Sequence, residues 1–268
     1  MSDNYKEKYK GCIDACIPLQ YSRVVVDEVI GGGKSCVAFK VHDLFNYHKQ
    51  YALKIYSPID KSEHISPFLV GNWKREINIL TKVSNSNLTP FIEEYGVTSI
   101  NGYKLKYILM EYINGQTIQH LLKYNNLGLH ERREIINKVF STSIKLSDMG
   151  IWHVTGRTGN YILTQDNQVK FIDFGSSYTI SNDIKDAIGK LKKYEYNKRE
   201  CMALGLLFYN LFFDLRYTNT NVIVSLVKAC YDKKTLPYIV YLAMKGGFHN
   251  INEFAEKVNT CLDGKKVF

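Results

Sequence analysis

The sequence predicts an α+β protein in two parts, a small β-rich part followed by a larger helical part. Strand-type segments dominate as far as residue 113, with one helix-type segment among them, and helix-type segments dominate after it. A chain of 268 residues can bury a core in one large domain or in two small lobes. We therefore expect a polar leader over residues 1–20, a first lobe over 21–113 and a second lobe over 114–268.

The first lobe is expected to hold five strands and one helix. Runs of β-branched and apolar residues predict strands over residues 24–30, 37–41, 51–56, 91–99 and 104–112. Asn101 and Gly102 would form the turn between the last two strands. Between the third and fourth strands, Trp73, Ile77 and Leu80 recur at helical spacing, which predicts a helix over residues 72–83.

The second lobe is expected to be mainly helical. Residues 131–144 carry apolar side chains on one helical face, namely Ile135, Ile136, Val139, Phe140 and Ile144. Residues 160–174 predict two short strands around a polar turn. Residues 200–213 are apolar nearly all round, which is typical of a buried central helix, and the last 50 residues have a helical pattern.

The composition is that of an ordinary globular protein, and it excludes several classes. The most apolar run is 13 residues long, short of the roughly 20 that span a bilayer. The net charge of +9 comes from scattered lysines, which favours a solvated surface and makes nucleic-acid binding unlikely. The six cysteines form no repeating pair, so neither a zinc site nor a secreted disulfide framework is expected, and a cytoplasmic location fits best.

The stretch from residue 27 to 41 (DEVIGGGKSCVAFKV) raises the question of a phosphate-binding loop. A Walker A loop would need a glycine at position 28, which is Glu28, and it would open a helix. The chain instead continues as a strand, so the glycines join two strands. Two readings remain, a plain tight hairpin turn and a glycine-rich lid over a nucleotide, since a backbone without Cβ atoms lets phosphates approach.

Four short motifs follow one another along the chain, and together they carry a resemblance. They are GGGKSCVA at 31–38, YALK at 51–54, ILMEYI at 108–113 and IDFG at 172–175. In order and spacing they resemble the protein kinase family over most of residues 24–214. The resemblance implies a bilobal protein kinase-like fold with a β-rich N-lobe, one helix in that lobe and a compact helical C-lobe. It also implies that the chain is a transferase-type protein that binds ATP with Mg²⁺ or Mn²⁺.

The resemblance also implies where the nucleotide would be held. Gly31 and Gly33 match the first two glycines of the family's G-x-G-x-x-G-x-V loop, while Cys36 stands at the third. Ala52 and Lys54 match the V-A-I-K strand, and Glu76 matches the helix residue whose carboxylate orients that lysine on the phosphates.

Further along the chain, the same resemblance assigns adenine contacts and a metal pair. The adenine contacts are Met110 as gatekeeper, backbone groups of the segment from Glu111 to Ile113, and Ile162. Asn160 and Asp173, 13 residues apart, would hold the metal through an amide oxygen and a carboxylate.

The catalytic loop is where this sequence departs from the family pattern. H-R-D-L-K-x-x-N meets residues 153–160 (HVTGRTGN), which keep the histidine, a basic residue at Arg157 and the asparagine. Thr155 replaces the aspartate that accepts the substrate proton, and a threonine cannot act as a base near neutral pH. Val154 replaces the arginine through which a phosphorylated activation loop is held, so we expect no switch of that kind. Glu200 takes an aspartate position at the head of the buried helix, and no A-P-E motif is present.

These features leave three functions open. The first is a pseudokinase, or a weakly active atypical Ser/Thr kinase, that binds ATP and acts by recognising a protein partner. The second is an active atypical kinase that transfers the γ-phosphoryl group to protein Ser/Thr. The third is a nucleotidyl transferase on the same fold. The compact second lobe and RTGNYIL are similar to small pathogen effector kinases of the OspG and NleH type, or to degenerate poxvirus kinases. That similarity would make the chain a virulence effector or viral protein of the host cytosol.

Overall fold

A computed structural model describes residues 9–32, 36–56, 67–100, 103–180, 187–212 and 235–264. The chain divides into two compact units, unit 1 (Met1–Asn114) and unit 2 (Gly115–Phe268). Unit 1 is β-rich with one α-helix among its described residues, and unit 2 is mainly helical. The expected α+β class, strands first and helices second, is confirmed.

Unit 1 is one six-stranded antiparallel sheet with the strand order β1-β2-β3-β4-β6-β5. The strands are β1 (Cys16–Pro18), β2 (Arg23–Gly32), β3 (Cys36–Asp43), β4 (Asn46–Tyr56), β5 (Ile92–Ile100) and β6 (Tyr103–Glu111). Helix α1 (Pro67–Lys82) comes between β4 and β5, and a short 3₁₀ turn (Lys10–Cys12) precedes β1. The expected turn at 101–102 lies outside the described residues.

Part of the expected polar leader belongs to this sheet. Strand β1 pairs with the start of β2, with Ile17 opposite Val24. Ile17 is 6% exposed and packs into the core that the side chains of β2, β3 and β4 form on one face. A three-residue strand is too short for its alternation to stand out in a sequence, which is why the pattern did not predict it.

Side chains rather than a strand ladder fasten the segment after β1 to the sheet. The buried carboxylate of Glu94, on β5, accepts hydrogen bonds from the Tyr21 N–H at 3.0 Å and the Ser22 hydroxyl at 2.7 Å. It also accepts one from the hydroxyl of Tyr107 on β6. Three donors therefore satisfy one buried carboxylate, as burial of a charged group requires.

Unit 2 combines five short strands with five α-helices among its described residues. The strands are β7 (Gly115–Thr117), β8 (Ile151–Trp152), β9 (Tyr161–Thr164), β10 (Val169–Phe171) and β11 (Tyr178–Thr179), with a 3₁₀ turn at Thr158–Asn160. The helices are α2 (Ile118–Tyr124), α3 (Leu129–Asp148), α4 (Ala187–Phe212), α5 (Leu236–Met244) and α6 (Ile251–Asp263). Strands β7, β9 and β10 form one small antiparallel sheet, and β8 pairs with β11.

The core of unit 2 forms where helices α3, α4 and α6 meet. The rings of Phe140, Phe208 and Phe254, one from each helix, lie with centroids 4.6 to 5.5 Å apart. All three are 3% exposed or less. Such aromatic contacts add to the free energy gained by apolar burial and fix the three helices against one another.

The central helix α4 begins earlier than the sequence predicts. It starts at Ala187, so Glu200 lies in its interior rather than at its head. Its first half is rich in lysine and largely exposed, with Leu191 at 63%. That half therefore shows no apolar stripe from which a helix could be inferred.

Within the described ranges, no helix combines the length and apolar composition that a membrane crossing requires. Among the same residues, none of the five cysteines is in a disulfide.

Candidate functional site

Lys54 and Glu76 form a buried ion pair in unit 1. Lys54 lies on β4, between its cross-strand partners Ala38 of β3 and Ile108 of β6, and Glu76 comes from α1. The Lys54 Nζ lies 2.7 Å from Glu76 Oε2 and 3.0 Å from Oε1. The two residues are 8% and 1% exposed. Removing either residue would leave the other as an unpaired buried charge, so each of the two stabilises the other in its buried position.

Tyr56 is a third member of this cluster that the sequence did not reveal. Two residues after Lys54, it lies on the same face of β4 and donates a 2.6 Å hydrogen bond from its hydroxyl to Glu76 Oε2. Its ring lies 5.4 Å from the Lys54 Nζ. The only sequence signal was its period-two spacing from Lys54, which does not by itself identify a contact with a helix.

The glycine-rich segment is described only in part, because Gly33 lies outside the described residues. Gly31 lies at the end of β2 and pairs with Ala38, next to an irregularity in the ladder. Among the described residues, a Cβ at Gly31 would meet the Ala38 Cβ at 3.7 Å, which is an ordinary contact. The described part of the hairpin therefore has room for a side chain at position 31.

Of the residues expected to contact adenine, Ala52 lies on β4 and Met110 lies near the end of β6. Ala52 and Met110 are direct partners across these two strands, and Met110 is 7% exposed. Ile113 follows in the segment 112–114, which has neither helix nor strand, and is also 7% exposed. The Glu111 N–H donates to the Phe91 carbonyl at 2.9 Å, so an adenine would have to bind through other backbone groups of this segment.

In unit 2, Thr155 lies in the loop between β8 and the 3₁₀ turn. It is 7% exposed, and its hydroxyl oxygen accepts hydrogen bonds from the Asn160 side-chain amide at 3.2 Å and the Arg157 N–H at 3.3 Å. The structure thus brings Thr155 next to Asn160, one of the two expected metal residues. The Arg157 side chain, by contrast, is exposed.

Asn160 and Asp173 are held near one another by the backbone. The Ile172 N–H donates to the Asn160 carbonyl at 2.9 Å, and Asp173 directly follows Ile172. The ring of His153 donates from Nε2 to the Ile172 carbonyl at 2.8 Å. These contacts fasten the loop of Thr155 to the segment of Asp173. Ile162, on β9, pairs with Lys170 and is half-buried.

The donor set of Asn160 and Asp173 suits a magnesium or manganese ion that is completed by other ligands. One amide oxygen and one carboxylate are hard oxygen donors, and Mg²⁺ usually keeps several waters and binds substrate phosphates. Among the described residues, no group of three or more His, Cys, Asp or Glu side chains could hold a metal by itself. The pair therefore fits a phosphate-bridged metal better than a closed structural metal site.

A buried glutamate on α4, Glu200, binds the backbone of the loop that contains Thr155. Glu200, 1% exposed, accepts from the Ser143 hydroxyl at 2.7 Å and from the Val154 N–H at 2.6 Å. Burial raises the pKa of the Glu200 carboxyl, and these hydrogen bonds partly offset that rise. Val154 has φ +52°, which is unusual for a β-branched residue, so its backbone is strained. Glu200 binds the amide of that strained residue.

Comparison with known proteins agrees with this geometry. The family described as the protein kinase domain matches the chain over residues 24–207, well over half of it.

Individual relatives match smaller parts. A probable serine/threonine-protein kinase of Clostridium acetobutylicum is 28% identical over 158 residues, which is 58% of this chain and 22% of that protein. The CBL-interacting serine/threonine-protein kinase 13 of Arabidopsis thaliana is 25% identical over 209 residues, 70% of this chain and 40% of its own length. The Aurora kinase of Candida albicans is 31% identical over 159 residues, 58% and 28%. In all three, the match spans less than half of the relative.

Proposed function

The chain belongs to the protein kinase family, and we propose that it binds Mg·ATP as a pseudokinase or severely weakened Ser/Thr kinase that acts by recognising a protein partner. The observation that carries this proposal is the contrast between two sets of residues. The Lys54–Glu76 pair is fully formed, yet the base position is Thr155, whose neutral hydroxyl is already hydrogen-bonded.

Each residue has a stated role in the proposal. Lys54, oriented by Glu76, would neutralise charge on the α- and β-phosphates. Asn160 and Asp173 would hold the metal that bridges the phosphates. Ala52, Met110, Ile113 and Ile162 would provide apolar contacts to the adenine, together with backbone groups of residues 111–113.

The absence of a general base determines how slow phosphoryl transfer should be. A general base contributes typically 10²–10⁴-fold, whereas phosphoryl transfer depends mostly on positioning and electrostatic stabilisation. Thr155 would therefore slow the chemical step by about that factor while nucleotide binding persists. Arg157, exposed in the same loop, remains able to stabilise phosphate charge.

One observation favours the alternative of an active atypical kinase. Lys54, Glu76, Asn160 and Asp173 all remain, and partner recognition alone does not need a complete phosphate and metal set. In that case the γ-phosphoryl group would pass to protein Ser/Thr at a rate limited by the missing base.

Calorimetric titration of the full chain with Mg·ATP tests the binding half of the proposal. We expect saturable binding by the wild type and none by Lys54→Ala. The matched control is Lys104→Ala, which removes an exposed lysine from β6 of the same sheet and should leave affinity unchanged. Equal affinity of wild type and Lys54→Ala would contradict the role given to Lys54.

Label transfer tests the chemical half. The full chain is incubated with a protein mixture, Mg²⁺ or Mn²⁺, and ATP labelled in parallel at the γ- and α-phosphate. Trace γ label that disappears with Lys54→Ala supports a weakened kinase, and no label despite ATP binding supports a pseudokinase. Rapid γ transfer would favour the active alternative, and transfer of α label would replace both with nucleotidyl transfer.

A further inference from the structure

In the buried cluster of Lys54, Glu76 and Tyr56, the Glu76 carboxylate has a second donor besides the Lys54 ammonium, namely the Tyr56 hydroxyl. Glu76 Oε2 receives the Lys54 ammonium at 2.7 Å and the Tyr56 hydroxyl at 2.6 Å. Glu76 is 1% exposed and Tyr56 is 8% exposed, so water does not compete freely for this carboxylate. A hydrogen bond to a buried charged group is among the stronger ones in proteins.

We propose that Tyr56 is a positioning residue: its hydroxyl fixes the Glu76 carboxylate in the orientation that holds the Lys54 ammonium ready for the phosphates of ATP. The inference rests on the proposed function, since Lys54 must bind the nucleotide for its orientation to matter. It adds a residue that acts through Glu76 and need not touch the nucleotide.

Three features of Tyr56 support this role. Burial, and next the charge of Glu76, raise the pKa of the Tyr56 hydroxyl far above its ordinary value, so it remains a protonated donor throughout the physiological range. Its ring lies 5.4 Å from the Lys54 Nζ, a distance at which an aromatic face attracts a cation. It is also on β4 itself, so the strand carries both groups that bind Glu76.

The position of Glu76 on α1 explains why such a fixed orientation is useful. A carboxylate on a helix can rotate about its side-chain torsions, and the long Lys54 side chain can move with it. The Lys54 ammonium contacts both Glu76 oxygens, and the Tyr56 hydroxyl adds a contact to Oε2 from a second side chain. Two donors on one strand define both its position and its rotation. The Lys54 ammonium then loses less conformational freedom when a phosphate binds, which raises affinity by preorganisation.

Unit 1 also provides a matched control. The hydroxyl of Tyr107, on β6, likewise donates a hydrogen bond to a buried glutamate, Glu94. Tyr107 is the cross-strand partner of Ile55, whose side chain points to the opposite face of the sheet from that of Lys54. Both Tyr56→Phe and Tyr107→Phe remove one buried hydroxyl that donates to a glutamate. Only Tyr56→Phe changes the cluster with Lys54.

The first readout is Mg·ATP affinity by calorimetry, with unfolding midpoints measured on the same samples. We expect Tyr56→Phe to weaken affinity about tenfold, and Tyr107→Phe to leave it within twofold of the wild type. Both variants should show lower unfolding midpoints, because each loses a buried hydrogen bond. Equal weakening by the two variants, or no weakening by Tyr56→Phe, would overturn the inference while leaving ATP binding intact.

The second readout does not use ATP. A small amine-reactive acetylating ester is added to each protein, and acetylation of Lys54 over time is followed by mass spectrometry. We expect Lys54 to react several-fold faster in Tyr56→Phe than in the wild type or Tyr107→Phe, because its ammonium is held less firmly. If the wild type binds no Mg·ATP, the proposed function fails, and the acetylation rates alone decide the role of Tyr56: equal rates overturn it.

Discussion

At position 155 the side chain is buried and already engaged, which defines what a substitution there must preserve. The Thr155 hydroxyl oxygen accepts from the Asn160 amide and the Arg157 N–H, and a carboxylate can accept from both donors. An aspartate at this position would therefore keep the local hydrogen bonds and add a base.

We expect Thr155→Asp to raise γ-phosphoryl transfer by about 10²-fold or more, since a general base contributes that much. Initial rates of γ-label transfer measure the change, and calorimetry checks that Mg·ATP affinity is kept. Thr155→Asn is the control, because asparagine has nearly the shape of aspartate but cannot act as a base. Equal rates for the two variants would show that the missing base is not what limits transfer.

Val154 shows strain at the same loop. At φ +52° a β-branched residue is disfavoured by about 1–2 kcal/mol, whereas asparagine tolerates this region. We expect Val154→Asn to raise the free energy of unfolding by about 1 kcal/mol in urea titrations. Val97→Asn, at a half-exposed position of β5, should instead lower it slightly. A loss of stability with Val154→Asn would mean that packing of the valine side chain outweighs its backbone strain.

At the scale of single elements, α4 and the loop after β8 depend on one carboxylate. Glu200 accepts from Ser143 of α3 and from Val154 of the loop, so it connects two helices and the loop. Its bond to Val154 holds the backbone conformation just before Thr155. The loop that contains Thr155 is therefore held in place by a residue of unit 2 itself.

The raised pKa of Glu200 makes the stability of this arrangement depend on pH. A carboxyl whose pKa is higher in the folded than in the unfolded state contributes most stability when protonated, and that contribution falls as pH rises through the folded pKa. We expect the unfolding free energy of the wild type, relative to Glu200→Gln, to decrease from about pH 4.5, the ordinary value for glutamate, toward neutral pH. Urea titrations of both proteins at several pH values measure this difference. A difference that does not vary with pH would contradict it.

At the scale of the whole molecule, the proposed function gives the chain one nucleotide ligand, Mg·ATP. The matched family model covers parts of both units, from residue 24 to residue 207. A ligand that binds only the folded state stabilises the protein by mass action.

We expect Mg·ATP at about 100 times its Kd to stabilise the wild type by about 2.7 kcal/mol, seen as a higher Tm in thermal unfolding. Asp173→Asn should reduce this Tm shift because it removes a carboxylate proposed to bind the metal ion. A chelator should reduce it because it removes the metal ion itself. Asp166→Asn, in the exposed turn between β9 and β10, is the control and should keep the full shift. An unchanged shift with Asp173→Asn would remove that residue from the metal site.

The sequence by itself determined the α+β class and most of the strands and helices around the motifs. Strand and helix patterns are local, with periods of 2 and 3.6 residues, so the strand of Lys54 and the helix of Glu76 could be predicted from their neighbours. The sequence missed elements whose local signals are weak or short. Among them are β1 and the lysine-rich start of α4, and with the latter the interior position of Glu200.

Only the tertiary structure decided which of these residues meet. Tyr56 and Glu76 are 20 residues apart in the chain, and Val154 and Glu200 are 46 apart. Such hydrogen bonds depend on how remote segments pack, and no sequence period reports them. The motifs thus predict nucleotide and metal residues, whereas packing decided that Tyr56 binds Glu76 and that Glu200 binds the loop of Thr155.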